Sequence, residues 1–436
     1  MGCRDIDYSS LPTRIALVDG NNFYVSCERV FDPKLEGKPV VVLSNQDGCI
    51  VARSQEVRDL SVKMGTPWHT LHGFARQHQI IALSSNYALY GDLSARMMSV
   101  IGQFSPDQEI YSIDESFLDW SGFQHLDLVA YGHQLRERVR HWVGTPVGVG
   151  IGPNKTLAKA CNHIAKKFPQ YNGVFDLARL SPAEATELFS GISVSEVWGV
   201  GRQLTARLAE RKIFTVADLR AADPSEIHRT FSVVLARTVK ELRGESCIAM
   251  EEAPPPKQQL MCSRGFGHVL KTETELAEAV STYAARTAEK LRTQHSLAGI
   301  VQVFIQTNPF RERDKQYSRG VTVPLNNPSD DTLILTRAAL AGLHQIYKPG
   351  FNYHKAGVML SELTPAAQRQ DGLFEDPAQL QRNEMLMATM DHINAKMGRG
   401  TVRLACTGMH PTWGMRQERR TPRYTTRWDE IPTAYC

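Results

Sequence analysis

The chain of 436 residues is 42% hydrophobic and 22% charged, an ordinary globular composition that allows roughly three or four domains. It shows no apolar stretch of the ~18 residues needed to span a bilayer, and Met-Gly-Cys-Arg-Asp-Ile-Asp at the start lacks the apolar core of a signal peptide; a soluble, cytoplasmic protein without a membrane partner is expected. Its 8 cysteines form no C-x-x-C and no zinc-finger spacing, so reduced thiols are expected rather than a disulfide frame.

In chain order, residues 1–13 read as a polar extension, Ile15–Val18 and Val40–Leu43 as short buried strands, and Asn22–Val30 between them as a helix. Residues 49–75 combine a strand, Ile50–Ala52, with a helix carrying Arg53, Arg58 and Lys63. A longer helix runs from Tyr87 to Gln103, Glu109–Trp120 reads as a hairpin, and Leu128–Val143 as an amphipathic helix. Val147-Gly-Val-Gly-Ile-Gly152 is a glycine-interrupted strand leading into a lysine-bearing helix. From Ser181 to Arg243 the pattern is wholly helical. Residues 245–258, acidic and then triple-proline, form the clearest linker. Beyond it, strands and helices alternate as β-α-β-β-α-β up to Leu360, and one further helix spans Pro377–Lys396. The fold class is α+β, in several domains.

The net charge of +4 is modest but uneven. Four lysines and no acid lie between Ile151 and Tyr171, and residues 401–436 hold six arginines against three acids, with Trp413, Tyr424 and Trp428 among them. That mixture suits a polyanion.

The chemistry concentrates on three acids. Ile15-Ala-Leu-Val18 stops at Asp19, and Tyr111-Ser-Ile-Asp-Glu-Ser116 places Asp114 and Glu115 at a strand end. Carboxylates leaving neighbouring strands repel, and divalent cations hold such groups together. Phosphoryl transfer from a nucleoside triphosphate uses two such ions about 3.5–4 Å apart. Tyr24, five residues after Asp19 at the start of the following helix, is a candidate to lie beneath a bound sugar, where its bulk would exclude a 2′-hydroxyl, while Arg58 and Lys166 are candidate triphosphate ligands. Val197-Trp-Gly-Val-Gly201 before a helix has the form of a helix-hairpin-helix, in which Gly199 and Gly201 let backbone amides reach a DNA phosphate. Arg311, Arg313, Lys315 and Arg319 join two strands and suit contact with a phosphate backbone. Gln370-Asp-Gly-Leu-Phe374 reads as a short linear motif presenting Gln370, Leu373 and Phe374 to a partner.

Together these motifs resemble the UmuC branch of the Y-family translesion DNA polymerases, over roughly residues 14–430. They include Val18-Asp-Gly-Asn-Asn-Phe-Tyr-Val-Ser-Cys-Glu28, Leu43-Ser-Asn-Gln-Asp-Gly-Cys49, Lys155-Thr-Leu-Ala-Lys159 and Thr421-Pro-Arg-Tyr-Thr-Thr-Arg427. The resemblance implies a right-handed polymerase: a palm (14–30 and 86–176), fingers (31–85), a helical thumb (177–244), a linker (245–258), a tethered little finger (259–365) and a C-terminal extension (366–436). It implies error-prone, template-directed synthesis past damage in the SOS DNA-damage response, without proofreading, by a bacterial cytoplasmic enzyme that is nucleoid-associated when active. Asp19, Asp114 and Glu115, with Gly20, would bind two Mg²⁺ (Mn²⁺ being an alternative), Tyr24 would be the steric gate, and Arg58 and Lys166 would hold the dNTP. Gln55 stands where many relatives carry a phosphate-binding tyrosine. The partners implied are primer-template DNA, dNTPs, a sliding clamp through residues 370–374, a processed UmuD-like dimer, for which the arginine-rich tail is the expected dock, and a RecA filament.

Two other classes use part of the same evidence. A nucleotidyl cyclase also pairs acids and metals on a palm-like sheet, and a silent DNA-binding scaffold also carries basic modules. The helical module and the basic α+β domain weigh against the first, the intact acids against the second.

Overall fold

Ile15, Ala16, Leu17 and Val18 are all buried, and a run with no polar side belongs in the middle of a sheet. In a computed structural model, which describes residues 6–123, 125–251, 255–369, 376–408, 413–431 and 433, that is their place. β1 (Ile15–Gly20) is followed by α1 (Phe23–Phe31), β2 (Val40–Leu43), β3 (Ile50–Arg53), α2 (Gln55–Asp59), α3 (His72–Gln77), β4 (Ile81–Ser84) and α4 (Tyr87–Ile101). Next come β5 (Gln108–Ile110), β6 (Glu115–Asp119), α5 (Leu128–Val143), β7 (Val147–Gly152), α6 (Lys155–Lys167) and β8 (Val174–Asp176). Five strands form one sheet in the order β5-β6-β1-β7-β8, with β1 antiparallel to both neighbours, and β3-β2-β4 form a second, smaller sheet.

The glycines of β7 explain how α6 lies so close. A Cβ at Gly150 would collide with the backbone nitrogen of Asn162 on α6, so only glycine permits the approach. α6 starts where Asn154 Oδ1 accepts from Leu157 N at 3.0 Å, and α5 where Asp127 Oδ1 accepts from Val129 N and Ala130 N; both are side-chain N-caps.

Five helices follow: α7 (Pro182–Ser190), α8 (Arg202–Ala209), α9 (Val216–Ala221), α10 (Pro224–Thr230) and α11 (Val233–Leu242). They close over their own apolar cluster with α6. Residues 245–251 are not free of this body: Asn154 Nδ2 donates to Glu245 O, Lys155 Nζ to Ala249 O, and Glu251 N to Glu109 Oε2.

By its contacts the chain divides into two units, 1–44, 49–254 and 419–436 against 45–48 and 255–418. The second contains β9 (Leu260–Leu270), α12 (Glu273–Thr293), β10 (Ser296–Thr307), β11 (Ser318–Ser329), α13 (Thr332–Ile346), β12 (Tyr353–Pro365) and α14 (Pro377–Met397). Its sheet is antiparallel in the order β11-β10-β12-β9. On β10, Val301, Val303 and Ile305 are buried beneath the helices while Gln302, Phe304 and Gln306 alternate with them on the other face. Arg292 on α12 holds Asp391 on α14 in a two-pronged ion pair at 2.6 and 2.8 Å.

Two expectations need correction, and two short strands were not anticipated. The helix over Arg53, Arg58 and Lys63 is only α2: Arg53 closes β3, and the left-handed backbone of Ser61 (φ 59°) ends any helix before Lys63. β4 and β8, four and three residues long, carry too little pattern to be read from sequence. The arginine-rich C-terminus is no single tail, since residues 413–418 go with the second unit and 419–431 with the first.

Candidate active site

β1 delivers Asp19 at its end, directly across from Glu115 on β6 and from Gly148 on β7. Residues directly opposite on antiparallel strands point to the same face, with Cβ atoms roughly 5 Å apart. Asp114 precedes β6, so the two adjacent acids open a strand rather than close one. Gly20 N donates to Asp114 O at 2.9 Å, stitching the turn to β1, and Ser112 Oγ donates to Asp114 Oδ1 at 2.7 Å.

Two lysines from one helix face meet these acids. Lys166 Nζ lies 2.8 Å from Asp19 Oδ1, and Lys159 Nζ 2.7 Å from Glu115 Oε1. They are seven residues apart on α6, two turns, hence on one face. Gly148 makes the first contact possible, because a Cβ there would stand 2.8 Å from Lys166 Cε. Lys159 is also ringed by Tyr111, Trp198 and Phe117, at 4.4, 5.0 and 5.8 Å from their centroids. Burial pushes the Asp19 carboxyl above the usual range; Lys166 pulls it back, and the charges of Glu115 and Asp114 push it up.

Asp19, Gly20, Tyr24, Arg58, Asp114 and Lys166 all line one open cleft of about 380 Å³, together with Asn22 and Arg53. The structure therefore brings together six of the seven expected site residues. Glu115 is the exception: its carboxylate is turned to Lys159, and among the described residues no three acidic, histidine or cysteine side chains converge as a ready metal site. Asp19 and Asp114 are oxygen donors of the kind divalent cations take, but Asp19 is engaged by Lys166 and Glu115 by Lys159, so Glu115 would join them only on leaving its lysine. Asn22, left-handed at φ 48° beside the cleft, buries an Oδ1 with no hydrogen-bond partner.

Arg53 and Lys159 were missed as site residues. Arg53 donates to Val62 O from the cleft wall and leaves its Nε unpartnered; Gln55 is exposed, bonded to Asp59, and does not line the cleft. The signal for Lys159 was its seven-residue spacing from Lys166.

Tyr24, the second residue of α1, stacks on Tyr90 at 4.5 Å and 15° and meets Tyr87 edge-on at 6.1 Å. Tyr90 in turn donates to Glu28 Oε1 at 2.6 Å. Burial raises the Glu28 carboxyl above its ordinary 4.5, and the Tyr90 and Thr421 hydroxyls offset part of that. A carboxyl raised on folding adds stability below its unfolded value and loses it as pH climbs through the folded one. Glu28→Gln is neutral and accepts the same bonds, so its Tm should match the wild type near about pH 4 and gain on it towards about pH 8. A difference independent of pH in thermal melts would contradict this.

Gly199 is left-handed (φ 87°), which favours glycine, and Gly201 caps α8 without a side-chain bond. Arg311, Arg313 and Lys315 are exposed between β10 and β11, with Arg311 loosely paired to Asp314 at 3.9 Å, whereas Arg319, also exposed, lies within β11 opposite Ile305 rather than in the connection. Gln370, Leu373 and Phe374 lie outside the described residues.

Residues 18–163 match the impB/mucB/samB family, 257–373 the impB/mucB/samB family C-terminal domain, and 384–434 a domain of unknown function (DUF4113). The chain is 43% identical to Protein ImpB of Salmonella typhimurium over 96% of its own length and 99% of that protein's. It is 42% identical to Protein UmuC of Salmonella typhimurium strain LT2, over 95% and 99%, and 26% identical to DNA polymerase IV of Moorella thermoacetica, over 90% and 95%. Among solved structures, a Y-family DNA polymerase chimera of Dbh and Dpo4 covers 81% of this chain and 99% of its own at a TM-score of 0.64 and 20% identity. The fold is thus that of a Y-family DNA polymerase. The chain belongs to the impB/mucB/samB family, and is a UmuC-like, DNA-directed DNA polymerase of translesion synthesis. Among the described residues, no helix is long and apolar enough to cross a membrane.

Proposed function

We propose that the cleft joins deoxynucleotides to a primer 3′-hydroxyl with Asp19, Asp114, Glu115 and the Gly20 carbonyl holding two Mg²⁺, Mn²⁺ substituting. Such ions, when bound, lower the pKa of the attacking hydroxyl and neutralise the departing pyrophosphate. The observation that carries the reading is that Asp19, Asp114, Tyr24, Arg58 and Lys166 share one cleft. Arg58 clamps phosphate oxygens from one wall. Lys166 exchanges Asp19 for a phosphate as the triphosphate enters, and Lys159 accommodates Glu115 until the acids gather. The Tyr24 ring lies under the sugar and excludes a 2′-hydroxyl. The cleft is broad and open, which favours tolerance of damaged template bases, and among the described residues no separate acidic cluster is at hand for proofreading.

Backbone amides at Gly199 and Gly201 grip the duplex, and Arg311, Arg313, Lys315 and Arg319 track its phosphates without reading sequence. The protein acts in the cytoplasm, at the nucleoid, in the SOS response. A sliding clamp docks at Gln370, Leu373 and Phe374, and a processed UmuD-like dimer and a RecA filament assist. Primer extension on undamaged and abasic templates, with and without those partners, tests this: incorporation opposite the lesion is expected, and release of a cyclic nucleotide without extension would instead identify a cyclase.

A further inference from the structure

Residues 32–84, which carry the small sheet, α2 and α3, are an insertion between α1 and α4, so the chain crosses between the insertion and the body of the five-stranded sheet twice, after Phe31 and at residues 84–86. A segment from the far end of the sequence, 419–427, binds both crossings. At the second, Ser84 N donates to Arg419 O at 3.1 Å and Arg419 N to Ser84 Oγ at 3.0 Å. The buried Asn86 caps α4 with its Oδ1 and spends its Nδ2 on the segment, donating to Thr421 O (3.0 Å), Thr421 Oγ1 (3.1 Å) and Pro422 O (3.0 Å). At the first, Tyr424 stacks on Phe31, the last residue of α1, at 4.7 Å and 10°. The Arg419 guanidinium also lies over Trp68, which is buried in the apolar cluster of the insertion, 5.6 Å from its ring centre.

The crossings matter because they join the two walls of the cleft. Asp19, Asp114 and Lys166 come from the five-stranded sheet, the turn before β6 and α6, whereas Arg53 and Arg58 come from the insertion. The insertion is seated by Val40 and Val42, which reach the larger core, and by Arg29 of α1, which holds Glu56 of α2 at 3.0 Å. Segment 419–427 adds its bonds at the crossings themselves. Element ends of that kind are where a change in the angle between two bodies is absorbed, so a third stretch of chain fastened to both restrains tilting of one wall against the other.

We infer that segment 419–427 is a positioning element for the incoming nucleotide: by tying both crossings it holds Arg53 and Arg58 at a set distance from Asp19, Asp114 and Lys166. The inference rests on the reading of Arg58 and Lys166 as triphosphate ligands. A triphosphate gripped from two walls at once binds more weakly when one wall drifts, because part of the binding energy is then spent on bringing the walls together. The acids all sit on the other wall, so the chemical step is left nearly untouched.

The test measures dGTP insertion opposite template dC by the full-length protein, with amide hydrogen exchange as a second readout. Tyr424→Ala removes the stack on Phe31. The energy of one aromatic pair corresponds to about a fivefold rise in KM for dGTP, with kcat changed less than about twofold and Tyr424→Phe keeping the wild-type values. Exchange should quicken in residues 32–38 and 81–86 and stay unchanged in β7 and α6. An unchanged KM in a normally folded Tyr424→Ala protein, or a fall in kcat without a rise in KM, overturns the inference. Should that variant fail to fold, Arg419→Gln, which gives up the contact with Trp68, must raise KM too, and an unchanged KM there is equally fatal. Arg58→Ala separates the two claims: if it leaves KM unaltered, the reading of Arg58 as a phosphate ligand falls, whereas if it raises KM and Tyr424→Ala does not, only the role of the segment is lost. In the double variant the two effects should combine to less than their product, since both act through one wall; a full product would place the action of the segment elsewhere and overturn the inference.

Discussion

Asp114→Asn is expected to abolish primer extension while leaving the fold intact. The backbone of residue 114 pairs with Gly20 through its carbonyl, and an asparagine Oδ1 still accepts from Ser112, so neither the turn nor β1 loses its anchor. What disappears is one of the two carboxylate charges that line the cleft beside Tyr24 and Arg58. The loss should be about 10³-fold in kcat, the scale on which removing one group from a preorganised charged site is felt. Thermal melting should stay close to the wild type, because the substitution also relieves repulsion with Asp19. Single-nucleotide insertion at saturating Mg²⁺ reads the effect, and undiminished extension past an abasic site would remove Asp114 from the catalytic set.

Tyr24→Ala should convert the enzyme into one that accepts ribonucleotides. The ring is half-buried, held from below by Tyr90 and from the side by Tyr87, so in the wild type it cannot swing clear of an incoming sugar without breaking two aromatic contacts. Removing it opens space at the cleft wall where a 2′-hydroxyl would lie. Steric rejection of a single small group is worth on the order of 10²-fold, and discrimination should fall by about that factor, seen as a gain in kcat/KM for GTP rather than a loss for dGTP. Truncating a half-buried aromatic also costs about 2 kcal/mol of stability. Equal insertion efficiencies before and after the substitution would mean that Tyr24 belongs to the core and not to selection.

Both predictions concern residues whose importance is legible in one dimension. An apolar run ending in an acid, an adjacent acid pair and an aromatic five residues after the first acid are local patterns, because strand ends and helix starts are set by nearest neighbours. The β-α-β-β-α-β order of the second unit was equally legible: long alternating strands and amphipathic helices advertise which face is buried. The short elements were not, and α2 stopped early because a left-handed Ser61 intervenes, which no periodicity announces.

Sequence alone thus determined which side chains are available for chemistry: three acids, the aromatic proposed as a gate, two cations proposed to hold phosphate, and a family signature. Only the tertiary structure decided which of them meet. It paired Asp19 with Glu115 in register, let Lys166 reach Asp19 over a glycine, turned Glu115 towards Lys159, and brought Thr421 to Asn86, 335 positions apart. The physical reason is the range of the interactions. Local backbone preference is written in adjacent residues, whereas strand register, the partner of a buried charge and the resting place of a distant segment depend on how the whole chain closes on itself.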